Sequence, residues 1–119
     1  HVNCLYLIRV IDSMEHVPKF KLWLEDKDKK YILGKGTADL LLKIKELRSI
    51  SEAANFYNIS YAHAWRKIRS IEKSSGQEII SKTRGGKGGG HSELTPFGEK
   101  VLSDYIKANE AVEKCIRDL

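Results

Sequence analysis

The chain has 119 residues, 41% of them apolar and 31% charged, with a net charge of +5. This composition excludes a disordered tail and a membrane protein, and it fits one domain with an appendage. No apolar run approaches the roughly 20 residues of a membrane helix, and Leu5 to Ile8 is cut off by Arg9. There is no basic leader and no small-residue cleavage site, so a cytoplasmic location without a membrane partner is expected. Cys4 and Cys115 lie near opposite ends, outside any CxxC or Cys/His cluster. Such spacing suits reduced thiols, with contact across a dimer as the alternative, and predicts no structural metal.

The chain opens on an apolar stretch, residues 1 to 13, left open between an arm, a strand and a leader foreign to the protein. Met14, the single methionine, is a candidate start. From Lys19 to Glu25 the pattern alternates, with Phe20, Leu22 and Leu24 on one side and Lys21, Trp23 and Glu25 on the other. That is the pattern of a half-buried strand. Asp26 to Lys29 supplies a turn and Lys30 to Leu33 a returning strand, so a β-hairpin is expected, with Leu5 to Ile11 as a candidate third strand. Gly34-Lys-Gly36 should end the hairpin and Thr37 should cap a helix from about Ala38 to Arg48. Its apolar positions are Leu40, Leu41, Ile44 and Leu47.

Ser49-Ile-Ser-Glu52 has the form of a capping box and predicts a short helix from Ile50 to about Tyr57. Asn58 suits a left-handed turn. Ser60 should cap a third helix that runs to about Ser74 and stops at Gly76. Glu78 to Thr83 and His91 to Leu94 read as paired strands around a glycine-rich loop. Thr95-Pro96 then starts a last helix running towards Leu119, since Pro suits a first helical turn.

The second and third helices have the marks of a helix-turn-helix. Ala53 and Ala54 are small where the helices cross, and Ile59 is an apolar anchor after the turn. In the third helix Ala64, Ile68 and Ile71 span only about 60° of the helix surface. Ala62, Arg66, Arg69 and Lys73 fall on the opposite face, His63 and Ser70 to one side, and Tyr61 and Trp65 on a flanking ridge. Charge coincides with this motif. Residues 60 to 91 hold seven Lys or Arg against two Glu, and the rest of the chain balances fourteen against fourteen. A neutral body with one basic quarter is the footprint of a polyanion reader.

Double-stranded DNA is therefore the expected partner. The reading residues are expected at Ser60, Tyr61, Ala62, His63, Trp65, Arg66, Lys67 and Arg69. Arg66 is the best base reader, because guanidinium can pair bidentately with guanine. For Trp65 packing is favoured over readout. The loop Arg84-Gly85-Gly86-Lys87-Gly88-Gly89-Gly90 with His91 has the composition of a wing, in which backbone approaches phosphate and Arg84 enters a minor groove. It is not a P-loop, because Lys87 is followed by Gly88 rather than by Ser or Thr. Lys35-Gly36-Thr37 fails the same spacing.

In the last helix, Leu102, Tyr105, Asn109, Val112, Ile116 and Leu119 fall at alternating spacings of three and four. This is a heptad seam with a polar residue at one core position, and it predicts a homodimer. Packing on the domain's own core is the competing explanation. His1, His16, His63 and His91 are scattered, none paired with a carboxylate at suggestive spacing, so no catalytic centre, cofactor or metal is expected. The alternative function is a winged-helix protein-interaction module that binds no DNA. The basic face of the third helix speaks against it. The residues name no small-molecule effector.

Ser49-Ile-Ser-Glu-Ala-Ala54, Ile59-Ser-Tyr61 with Ala64-Trp65, the loop Arg84 to Gly90, and Leu94-Thr95 with Gly98 resemble the DNA-binding domain of molybdate-dependent (ModE-type) transcription regulators. The wider relation is to the LysR-type winged helix. The resemblance covers roughly Gly34 to Tyr105 and implies a dimeric regulator with a long final pairing helix. Longer family members continue into a molybdate-binding domain, so the chain is similar to the family's stand-alone DNA-binding form, and no oxyanion site is expected. The expected architecture is α+β: an N-terminal strand segment and hairpin over 1–36, a winged helix-turn-helix over 37–95, and a dimerisation helix over 96–119.

Overall fold

Strand β1 (Trp23–Glu25) pairs antiparallel with β2 (Tyr31–Gly34), Leu24 opposite Leu33. This is a computed structural model, and it describes residues 5, 6, 9, 10, 15–83 and 91–117. The connecting turn is built by Asp26, whose carboxylate accepts from the backbone N–H groups of Asp28 and Lys30 at 2.8 and 3.0 Å. The strand is shorter than its alternation suggested, beginning at Trp23 rather than Lys19. The candidate third strand is corrected: Leu5, Tyr6, Arg9 and Val10 have helical backbone. A short apolar run does not by itself separate strand from helix.

Helix α1 (Lys35–Leu47) starts three residues before the expected Ala38, and Thr37 is not its cap. Gly34 is the N-cap, in extended conformation and without a side-chain cap bond. It is buried, and a Cβ there would stand 2.9 Å from the Tyr31 hydroxyl. The strand therefore runs straight into the helix, and Lys35 pairs with Asp39 at 2.9 Å along the first turns. Leu40, Leu41 and Ile44 are buried, but Leu47 is exposed. The helix ends on Arg48 in the left-handed region, φ 56°.

Helix α2 (Ile50–Phe56) begins as expected. Ser49 is its N-cap and accepts from the Glu52 N–H at 3.0 Å. Asn58 takes the left-handed turn, φ 56°. Helix α3 (Tyr61–Ser75) is capped by Ser60, which accepts from the His63 N–H at 3.0 Å, and it stops on Gly76 at φ 71°. Strands β3 (Ile80–Thr83) and β4 (His91–Leu94) form an antiparallel ladder from Ile80 opposite Leu94 to Thr83 opposite His91. Helix α4 (Pro96–Arg117) follows. Thr95 fastens its start: the hydroxyl donates to the Glu78 carbonyl at 2.6 Å and accepts from the Gly98 N–H at 3.0 Å.

Hairpin, helix-turn-helix and the first half of α4 share one hydrophobic cluster. It joins Ile32 and Leu33, Leu40, Leu41 and Ile44, Ala53 and Ala54, Ala64, Ile68 and Ile71, Ile79 and Ile80, and Val101, Leu102 and Tyr105. Each fully buried Leu or Ile contributes roughly 1.5–3 kcal/mol.

Gly98 marks the tightest approach of α4 to the wing. A Cβ there would lie 2.5 Å from the Ile79 carbonyl oxygen, a backbone atom. Gly98→Ala gains up to about 1 kcal/mol of helix propensity but forces α4 off Ile79, the residue that leads into β3. A net destabilisation of about 1–3 kcal/mol is expected, read from the urea midpoint. A midpoint at or above that of the native chain would show that α4 shifts freely.

Candidate nucleic-acid interface

Helix α3 is fixed by its inner stripe. Ala64, Ile68 and Ile71 are at most 1% exposed, as their spacing predicted. Ala53 and Ala54 of α2 are equally buried against them, and Ile59 packs on the cluster after the turn. With that stripe fixed, Ala62, His63, Arg66, Arg69, Ser70 and Lys73 all face outward, exposed. Arg66 makes no hydrogen bond or ion pair among the described residues. An exposed guanidinium with all five donors free can form the fork that matches a guanine edge.

Lys67 departs from the expected set. It is half-buried and turned towards the start of α1, with its ammonium 3.4 Å from where a Gly36 Cβ would stand. Counting 100° per residue places it beside the buried stripe, not with Arg66. It lines a recess with Asp39, Leu40 and Tyr57, so it lies apart from the outward face.

The flanking ridge is occupied by Tyr61 and Trp65, whose rings meet edge-on at 6.3 Å and 74°. Trp65 is half-buried against the core, and the Arg69 guanidinium lies 5.0 Å from its ring centre. Tyr61 remains 46% exposed at the first turn of α3. Lys82 reaches across from β3: its ammonium donates to the Tyr61 hydroxyl at 2.9 Å and stands 5.1 Å from the Trp65 ring centre. This hydrogen bond, with Trp65 acting in the same direction, holds the Tyr61 phenol below its ordinary 10.0.

Between α2, the start of α3 and the wing strands lies an open cavity of about 280 Å³. It is lined by Arg48, Ser49, Tyr61, Lys82, Thr83 and His91, among others. Arg48 closes one side. Its guanidinium binds Glu93 at 2.6 Å and also His91, and its carbonyl accepts from the Ser92 N–H at 3.0 Å. His91 is thus tied to Arg48 and Glu93 at the foot of the wing. The expected wing residues Arg84, Gly85, Gly86, Lys87, Gly88, Gly89 and Gly90 lie outside the described residues. So does Leu119 of the heptad.

Arg48 and Lys82 are absent from the set expected from sequence. Lys82 was legible only as one of seven cations, since nothing in the chain says which strand residue meets Tyr61. Arg48 sits where Gly or Asn usually ends a helix, which hides it from pattern reading.

The Arg48 hydrogen bond, with His91 adding to it, holds the Glu93 carboxyl below its ordinary 4.5. A depressed carboxylate contributes stability above its unfolded value and loses it as pH falls through the lower folded value. Acidification is therefore expected to loosen the corner between α1 and β4, and Glu93→Gln should remove that part of the acid dependence. Thermal unfolding of both proteins from neutral to acid pH checks this. Parallel curves would show that Arg48 and Glu93 do not act as a pair.

The heptad divides in two. Leu102 and Tyr105, expected in a dimer seam, are 2% and 5% exposed in the chain's own core. They are corrected to core positions, because α4 must cover α1 and β4 before it leaves the domain. Burial, with Asp39 nearby, raises the Tyr105 phenol above its ordinary value. Asn109, Val112 and Ile116 are half-buried, and Asn109 donates to Glu113 at 3.0 Å within the helix.

Residues 38–99, just over half of the chain, match the bacterial regulatory helix-turn-helix proteins of the lysR family. The chain belongs to that family. The expected ModE-type likeness also appears among the curated relatives. "Transcriptional regulator ModE" of Yersinia pestis is 38% identical over 66 residues, 56% of this chain and 25% of that protein. "Molybdenum-pterin-binding protein MopB" of Rhodobacter capsulatus is 32% identical over 84 residues, 71% of this chain and 31% of that protein. The chain thus spans about a quarter to a third of the length of the curated relatives it matches. Among solved structures, the BenM_DBD/catB site 1 DNA complex matches at a TM-score of 0.52 and 22% identity, over 66% of this chain and 82% of that one. At that identity the likeness establishes the shared fold. No helix among the described residues is long and apolar enough to cross a membrane.

Proposed function

We propose that this lysR-family chain reads double-stranded DNA as part of a homodimeric transcription regulator, with α3 in the major groove and the wing on the flanking backbone. The observation that carries the reading is the outward face of α3. Arg66, Arg69 and Lys73 project from it, opposite a fully buried stripe. A helix anchored on one side and cationic on the other can enter a groove about 12 Å wide without disturbing its own domain. Ser60 and Tyr61 sit at the helix end that points deepest. Arg84 and Lys87 serve the wing, and the second half of α4 brings two readers together. The names of the relatives and of the DNA-complex neighbour support the same reading. The regulator acts by occupying its operator, without covalent chemistry.

The test is selection of bound duplexes from a random pool, followed by affinity across a salt series. Log affinity should fall linearly with log salt, by about 0.9 per phosphate neutralised. An enriched sequence and a steep slope are expected. A salt-independent affinity, or no duplex binding at low salt, would end the DNA reading.

A further inference from the structure

We infer that Lys82 is a positioning residue for base readout: its ammonium fixes the Tyr61 phenol so that the hydroxyl hydrogen points away from the wing, and Tyr61 thereby selects a hydrogen-bond acceptor on a base edge. The inference rests on the DNA-reading function proposed above.

The polarity of the contact decides the matter. An ammonium has three donors and no acceptor, whereas a phenol has one hydrogen and an oxygen that accepts. In the 2.9 Å bond from Lys82 Nζ to the Tyr61 oxygen, the phenol must therefore be the acceptor. Its single hydrogen is left over and lies on the side away from Lys82. A phenol in water turns freely between donor and acceptor roles, and this one is committed to donating. Accepting from a cation also makes the O–H more acidic and a stronger donor, which agrees with the lowered Tyr61 pKa and its first cause, Lys82.

The ring is held as well as the oxygen. Trp65 meets it edge-on one helical turn away, and Lys82 stands 5.6 Å from the Tyr61 ring centre and 5.1 Å from that of Trp65. Lys82 is itself placed by the ladder, opposite Ser92. A cation on the wing thus orients an exposed aromatic at the groove-facing end of the reading helix. Guanine and adenine N7, guanine O6 and thymine O4 accept in the major groove, while cytosine presents its N4 amino group as a donor. A committed donor at Tyr61 should therefore disfavour cytosine at the base it meets.

Two measurements on the intact chain test this. The first is the phenol titration of Tyr61 in the free protein, followed by NMR of labelled tyrosine. Lys82→Met should raise its pKa and Lys82→Arg should keep it low. The second is duplex selection with the native chain, Tyr61→Phe, Lys82→Met, the double variant and Lys82→Arg. Tyr61→Phe and Lys82→Met should each lose about tenfold discrimination against cytosine at one shared position. The double variant should lose no more discrimination than either, and Lys82→Arg should retain it. Lys82→Met should also weaken all sequences alike through its lost charge. If that uniform loss is its whole effect, the inference is overturned; if Tyr61→Phe weakens all sequences alike, it is overturned as well and Tyr61 serves a phosphate. An unmoved Tyr61 titration in Lys82→Met overturns it even where DNA reading stands. Absence of duplex binding by the native chain instead overturns the function itself.

Discussion

Val112→Lys combined with Ile116→Lys should convert a dimer into a monomer and lower operator affinity by roughly a hundredfold or more. The size follows from effective concentration: a second reading helix tethered to the first binds its half-site intramolecularly, and avidity of about 10²–10⁴ is lost when the tether is cut. The two positions are chosen from the packing. Leu102 and Tyr105 belong to the chain's own core, so cutting the chain after Pro96 would strip Val101, Leu102 and Tyr105 from that core and unfold the reader. Val112 and Ile116 lie beyond it and are only half-buried. Ile116 and Asn109 border an open groove of about 640 Å³ that continues to Val17, Phe20 and Leu22, an apolar surface of the kind a second copy would cover. Sedimentation should show the native chain as a dimer and the double variant as a monomer, with the helical circular-dichroism signal retained. A native chain that sediments as a monomer at tens of micromolar, or a double variant with unchanged operator affinity, would remove the pairing role from α4.

That division of α4 shows where sequence reading reaches and where it stops. A run of threes and fours marks a helix with an apolar stripe. It does not say what the stripe packs on, because a helix leaving a small domain presents the same pattern to its own core and to a partner. The caps at Ser49 and Ser60, the left-handed Asn58 and the stop at Gly76 were all legible, since each depends on one or two neighbouring residues. The inner stripe of α3 was legible for the same reason: its period is a property of the helix alone. The start of α1 was not. Thr37 is a good capping residue in isolation, yet the buried Gly34 brings β2 directly into the helix and bypasses it. Tertiary closure overrode local propensity there. The meeting of Lys82 with Tyr61 joins residues 21 positions apart, and no local rule could supply it. The half-buried position of Lys67 was legible too, because helical phase alone sets it beside Ile71 rather than Arg66.

Arg66→Ala should cost roughly 1–3 kcal/mol at the selected operator and broaden base preference at one position. The argument is geometric. Arg66 is exposed on the outward face of α3, and no carboxylate among the described residues competes for its guanidinium. Truncating it removes a bidentate donor without touching the buried stripe, so thermal stability should change by no more than about 0.5 kcal/mol. The contrast is Lys87→Ala. A wing cation meets phosphate, which is the same for every sequence, so that variant should weaken all duplexes alike and reduce the salt slope by about one phosphate. Selection from a random pool with each variant separates the two outcomes. If Arg66→Ala leaves base preference unchanged while Lys87→Ala alters it, α3 does not carry the readout. If Arg66→Ala leaves preference unchanged and Lys87→Ala behaves as a uniform loss, specificity resides elsewhere on α3. Tyr61 is then the first residue to test, ahead of Trp65, whose ring is half-buried against the core and already stacked beneath Arg69 and Lys82.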